Sequence, residues 1–171
     1  MRYLSVIGPA AAALAAFVAT PAAAAAPSAD ANGKALLLVP LSLVKVDDLG
    51  FGGIVPSPVS GSVTLNATSS ARSFSGGVTG VPSDAGKRAY FAGAGTPNQQ
   101  VIITLNPPAE LVSAANDKIT VLGLTLDGSA VRTIDPVART FFVGIGGSLM
   151  INADQPEGVY TATFDVTAWY Q

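Results

Sequence analysis

The chain has no histidine and no cysteine. Without histidine it lacks the side chain most often used as a general base and metal ligand near neutral pH. Without cysteine it has no thiol nucleophile, no thiolate for zinc or iron–sulfur sites and no disulfide. Charge is scarce too, since only 12% of the residues are Asp, Glu, Lys or Arg, with a net charge of −2. No basic cluster exists to neutralise phosphates, so nucleic-acid binding is excluded. Long apolar runs are missing except at the start, where residues 4–18 give about fifteen positions, short of the roughly twenty that cross a bilayer. Helical periodicity is also absent beyond that first segment.

The first segment itself reads as an export signal. Arg2 supplies a basic start, residues 4–18 an apolar middle, and the alanines at 22–26 a small-residue cleavage site. The expected division is a signal peptide over residues 1–25 and a single domain over residues 26–171. Arg2 is the one charged residue of the signal, leaving eight Lys and Arg against eleven Asp and Glu, a net charge of −3. A domain of about 146 residues buries enough surface to fold without staples. The processed chain is expected in the periplasm, at the cell surface or in the medium, and not embedded in a membrane.

What is present is short alternation, punctuated by Gly, Pro, Asn and Asp. Side chains on a strand alternate between two faces, so such runs predict strands with one buried face, and their number predicts an antiparallel all-β body. Residues 34–46 are extended and apolar but interrupted by Pro40, which cannot donate to a ladder and points to an edge strand or to one that changes sheets. Residues 61–66 place Val63 and Leu65 inward; residues 89–92 follow, and residues 100–105 place Val101, Ile103 and Leu105 on one face. In residues 118–126 the parity changes: Ile119 and Val121 share one face, Leu122, Leu124 and Leu126 the other, and a bulge near Leu122–Gly123 would restore a common core face. Phe141, Val143, Ile145, Leu149 and Ile151 form another inward row. After a turn at residues 154–158, residues 158–170 alternate with Tyr160, Ala162, Phe164, Val166, Ala168 and Tyr170 inward and Trp169 as an apolar exception outside. These last two strands are expected to pair as a hairpin.

Candidates for chemistry dissolve on inspection. Ser42-Leu43-Val44-Lys45 has the spacing of a serine–lysine pair, but on a strand positions i and i+3 point oppositely. Asp47 and Asp48 are adjacent and diverge for the same reason. Asp154 and Glu157 lack the dense acidic spacing of calcium loops. Gly144-Ile145-Gly146-Gly147 opens no helix and so has no dipole for a phosphate; close backbone packing accounts for it. Asn66-Ala67-Thr68 spells a glycosylation sequon. Tyr90, Phe91 and Trp169 would stack on sugar rings only if exposed together, and core or interface roles are the simpler account. No catalytic residue, metal ligand or cofactor is assigned, and the protein is expected not to be an enzyme.

Several segments, in order, carry a family resemblance. Leu49-Gly50-Phe51-Gly52-Gly53-Ile54 resembles a Leu-x-Phe-Gly-x-Ile signature. Gly61-Ser62-Val63-Thr64-Leu65 follows, then Phe142-Val143-Gly144-Ile145-Gly146-Gly147-Ser148-Leu149 and Gly158-Val159-Tyr160-Thr161-Ala162-Thr163-Phe164. This set is similar to the secreted bacterial family known as domain of unknown function 4402, whose pattern resembles spore coat protein U and archaic chaperone–usher pilins. The end of the chain also resembles the terminal motif of pilus subunits, with Gly158 at the fourteenth position from the end and Tyr170 as the penultimate aromatic. The resemblance implies an immunoglobulin-like, pilin-like sandwich assembled by donor-strand complementation, in which a neighbour's extended segment fills a groove.

Two readings follow. The first is an exported, non-enzymatic structural subunit of a pilus-like or coat-like surface assembly. Its partners would be further copies or related subunits, with a periplasmic chaperone and an outer-membrane usher. Leu36 and Leu38, within residues 34–39, would be donated, leaving residues 41–46 as the subunit's own first strand. Gly158, Tyr160, Phe164, Val166 and Tyr170 would line the groove or dock the chaperone. The second is a self-complete secreted β-sandwich binding module for carbohydrate or another surface protein.

Overall fold

Alternating apolar residues demand a partner surface on one side only, and the described residues meet that demand entirely with strands. The computed structural model describes residues 29–171; the expected signal peptide over residues 1–25 lies outside them. The chain divides into two units, Met1–Ala35 and Leu36–Gln171, of which the second is compact. Of the first unit, residues 29–35 are exposed and form no strand. The second unit contains no helix and is antiparallel throughout.

Its strands are β1 (Ser42–Asp47), β2 (Ile54–Val55), β3 (Gly61–Leu65), β4 (Arg72–Gly76), β5 (Thr79–Gly80) and β6 (Ala89–Ala94). There follow β7 (Gln100–Asn106), β8 (Glu110–Val112), β9 (Lys118–Leu126), β10 (Val131–Thr133), β11 (Thr140–Ile151) and β12 (Asp165–Tyr170). β11 is the hub. Its first half pairs with β6 and its second half with β3 along one edge, while Ile145 to Met150 pair with β9 along the other. β1 extends the sheet beyond β6, β4 beyond β3, and β8 beyond β9. A three-stranded sheet in the order β10-β7-β12 and a small β2-β5 pair complete the unit.

Two apolar clusters hold these elements together. One joins Phe91, Val101, Ile103, Phe141, Val143 and Ile145, thus β6 and β11 to β7, with Val166, Ala168 and Tyr170 of β12 packed against it. The other joins Val63, Val78, Ile119, Leu149 and Ile151, with Phe51, Leu111 and Tyr160 against it. Burial at roughly 25 cal/mol per Å² of apolar surface is the main term favouring the fold, since no disulfide contributes.

Most predicted strands are present, including β1 as an edge strand starting just after Pro40. The predicted bulge is also there: Ser148 pairs with Gly123 and Leu149 with Val121, so Leu122 is skipped and stands 55% exposed. The two Gly-rich positions of β11 reflect close backbone approach, since a Cβ on Gly146 would collide with the backbone of Leu65 and Ala67.

Two expectations fail. β11 and β12 do not form a hairpin, because β11 has both edges occupied in the large sheet and β12 pairs only with β7. The alternating run over residues 158–170 is also not one strand. Only Asp165–Tyr170 forms a ladder, and residues 158–164 touch another backbone only through a bridge between Thr161 and Val112. The intervening stretch crosses from one sheet to the other, which no two-residue turn can do. Gln155 anchors the crossing. It is buried, donates from Nε2 to the Lys118 carbonyl at 3.2 Å and to the Tyr160 hydroxyl at 2.9 Å, and accepts from Asn152 Nδ2 at 3.1 Å.

Candidate functional site

Each strand carries hydrogen-bonding groups on two edges, and in β1 and β12 one edge has no partner. β1 pairs only with β6, and β12 only with β7. Val39, just ahead of β1, is bonded to Tyr170 at the end of β12. Asp48 and Leu49, just after β1, line the same groove as Phe164, just before β12. β1 and β12 therefore run in opposite directions, tied together at the Tyr170 end and parted by the groove at the Phe164 end.

The wide end is an apolar groove of about 720 Å³. Ile119, Val121, Leu149 and Ile151 from β9 and β11 make its floor. One wall is the Leu49–Ile54 motif. Its glycines let it lie flat against residues 81–87: Gly50 exchanges two hydrogen bonds with Lys87 at 2.8 and 2.7 Å, and the Gly53 amide donates to the Asp84 carbonyl at 3.1 Å. Gly52 has a φ of +70°, and a Cβ there would strike the backbone of Asp84 and Gly86. Arg72 fastens this wall from behind. Its Nη1 donates to the carbonyls of Phe51 and Gly53, both at 2.9 Å, and its Nη2 to that of Val81 at 2.8 Å.

The opposite wall is residues 158–164, whose backbone is engaged only at Thr161, through two 3.0 Å bonds with Val112. Tyr160 turns inward and donates to the Pro156 carbonyl at 2.7 Å. Asp48, Asp84 and Glu157 stand among the lining residues, which include no Lys or Arg. Asp48 is paired with Lys45 at 2.5 Å, whereas Asp84 and Glu157 form no ion pair among the described residues. An apolar floor and an acidic rim suit an extended apolar segment with a positive charge.

At the closed end, three hydrogen bonds form a ring. The Val39 amide donates to Thr96 Oγ1 at 2.8 Å, the Thr96 amide to the Tyr170 hydroxyl at 2.8 Å, and that hydroxyl to the Val39 carbonyl at 2.6 Å.

The residues singled out from sequence fall as follows. Gly158, Tyr160 and Phe164 do line the groove. Val166 and Tyr170 instead pack on the main core from β12, Tyr170 ending at the ring. Leu36 is 69% exposed and Leu38 half-buried, in a segment that forms no strand. Ser42 and Lys45 serve separate partners, the Ala94 carbonyl and Asp48. Asp47 and Asp48 likewise diverge, to Lys87 and Lys45. The hydrogen bond from Lys87 to Asp47 raises the lysine above its ordinary pKa. Tyr90, Phe91 and Trp169 form no shared platform: Phe91 is buried, Tyr90 stacks on Phe142, and Trp169 lies on β12 of the other sheet. Sequence reasoning missed Arg72, Thr96 and Gln155. A lone arginine between glycine-rich turns carries no periodic signal, and the ring depends on contacts 57 and 131 residues apart.

The family model described as "Domain of unknown function (DUF4402)" matches residues 41–170. No curated protein and no solved structure matches the chain.

Proposed function

The chain belongs to the DUF4402 family, and from that premise we propose that it is an exported, non-enzymatic structural subunit of a pilus-like or coat-like surface assembly. In this reading the body is an immunoglobulin-like sandwich short of one strand, akin to spore coat protein U and archaic pilins. The observation that carries it is an apolar groove set between the end of β1 and the start of β12, two strands that each keep one edge without a partner. Backbone groups along such edges supply affinity for an added strand, and side-chain pockets set its register.

The occupant is residues 34–39 of a neighbouring copy or a related subunit. Leu36 is 69% exposed and Leu38 half-buried on their own subunit; two apart on an extended segment, they share a face and gain burial by moving into a groove. Lys34 heads the segment, and the rim offers Asp84 and Glu157. A periplasmic chaperone and an outer-membrane usher would hold the groove before assembly.

Two variants of residues 26–171 test this as a pair. Deletion of residues 34–39 leaves an acceptor with no donor; Ala162→Trp, at an exposed lining position, leaves a donor with no acceptor. Each alone stays monomeric by light scattering, and the mixture forms one-to-one pairs. Folded variants that never pair, from a parent that is itself monomeric, overturn the proposal. That outcome favours a self-complete binding module, the reading supported by the ring that ties Val39 to its own subunit.

A further inference from the structure

We infer that Thr96 and Tyr170 form a clasp that stores the apolar segment ahead of β1 on its own subunit, and that this clasp must open before the segment can enter a neighbour's groove. The inference rests on the assembly reading above and adds a control to it.

The clasp grips the backbone of one residue, Val39, on both sides of its Cα. Thr96 Oγ1 accepts from the Val39 amide, and the Tyr170 hydroxyl donates to the Val39 carbonyl. The third bond, from the Thr96 amide to Tyr170, locks the two clasping groups to each other. Both polar groups of residue 39 are thus satisfied by side chains and not by a ladder. Val39 itself is 46% exposed, and Leu36 and Leu37 more so. The segment is therefore retained by directional hydrogen bonds, with little hydrophobic burial to resist its departure.

The surroundings are built for that use. Tyr170 packs its ring on the main core, which fixes where its hydroxyl points. Position 95 must be small: a Cβ on Gly95 would come within 2.5 Å of the Tyr170 hydroxyl and 2.9 Å of Leu41. Pro40 separates the clasped residue from β1. It has no amide to lend to a ladder, and pairing with β6 begins only at Ser42. The segment can leave without disturbing β1, since the last hydrogen bonds holding it lie on the far side of the proline.

The three bonds also account for an otherwise isolated contrast. β1 and β12 are parted by the groove at one end and tied at Tyr170 at the other, where the chain's own segment is held.

Amide hydrogen exchange on residues 26–171 tests the clasp directly. In the parent, the Val39 amide is protected relative to Leu36 and Leu37. Thr96→Val and Tyr170→Phe each speed its exchange about tenfold, the factor that one lost hydrogen bond corresponds to. The amides of Val101 and Ile103 keep their protection, which separates release from unfolding. Gly95→Ala, which crowds the hydroxyl without deleting it, shifts Val39 the same way. The rate at which each variant pairs with the donor-deleted acceptor rises in step. Equal exchange at Val39 in the parent and in Tyr170→Phe overturns the clasp. Faster exchange with no faster pairing overturns its gating role. A synthetic peptide of residues 33–39 added to the donor-deleted acceptor separates the two proposals. If it fails to bind, the assembly reading falls and gating falls with it, while the exchange rates still decide the clasp.

Discussion

Arg72 satisfies three carbonyl oxygens with one guanidinium, and no other side chain can repeat that geometry. Lysine has a single point of charge on a flexible stem, so Arg72→Lys leaves at least one wall carbonyl without its donor. Hydrogen bonds to charged groups contribute about 1.5–3 kcal/mol. A loss at the lower end of that range is expected in urea denaturation, with protease cleavage appearing first in residues 49–54. Asp135 shows a different residue-scale effect. Its carboxylate accepts from the amides of Ala138 and Val137, at 2.7 and 2.8 Å, and these bonds hold its pKa below the ordinary aspartate value. A carboxyl lowered in the folded state stabilises above its unfolded pKa and loses that contribution as pH falls through the folded one. The melting-temperature gap between the parent and Asp135→Asn should thus be present at neutral pH and close below about pH 3.8, the unfolded reference near which the linkage begins to fade.

At the scale of the element, β9 shows how much alternation alone reveals. The switch of parity between Val121 and Leu122 was visible in the sequence, and an extra residue is the only device that returns both halves to one face. The expected consequence is asymmetric. Leu122→Ser, at the skipped position, changes stability by no more than about 0.5 kcal/mol. Leu149→Ala, opposite the bulge in the core of β11, costs about 2–5 kcal/mol because it leaves a cavity. Chemical denaturation of the two variants compares them directly. The run over residues 158–170 shows the reverse lesson. Its alternation is real, and Phe164, Val166, Ala168 and Tyr170 do face inward, but half of it has no strand beside it. Periodicity reports which face is apolar. It does not report whether a neighbour completes the ladder.

At the scale of the whole molecule, the groove is the consequence of that missing ladder. A segment that binds only the folded state raises stability by mass action, by about 2.7 kcal/mol at a hundredfold excess over its dissociation constant. The donor-deleted variant should therefore melt at rising temperature as peptide 33–39 is added, while Ala162→Trp should not respond; differential scanning calorimetry reads both. The amino-acid sequence by itself determined the all-β class, the inward rows of β3, β7 and β11, the bulge and the family, because each depends on patterns spanning a few residues. Only the tertiary structure decided that β11 spends both edges in one sheet, that β12 is left with an open one, and that Tyr170 reaches back to Val39. Those outcomes depend on contacts between segments far apart in the chain, up to the 131 residues between Val39 and Tyr170, and side-chain alternation carries no information about edges.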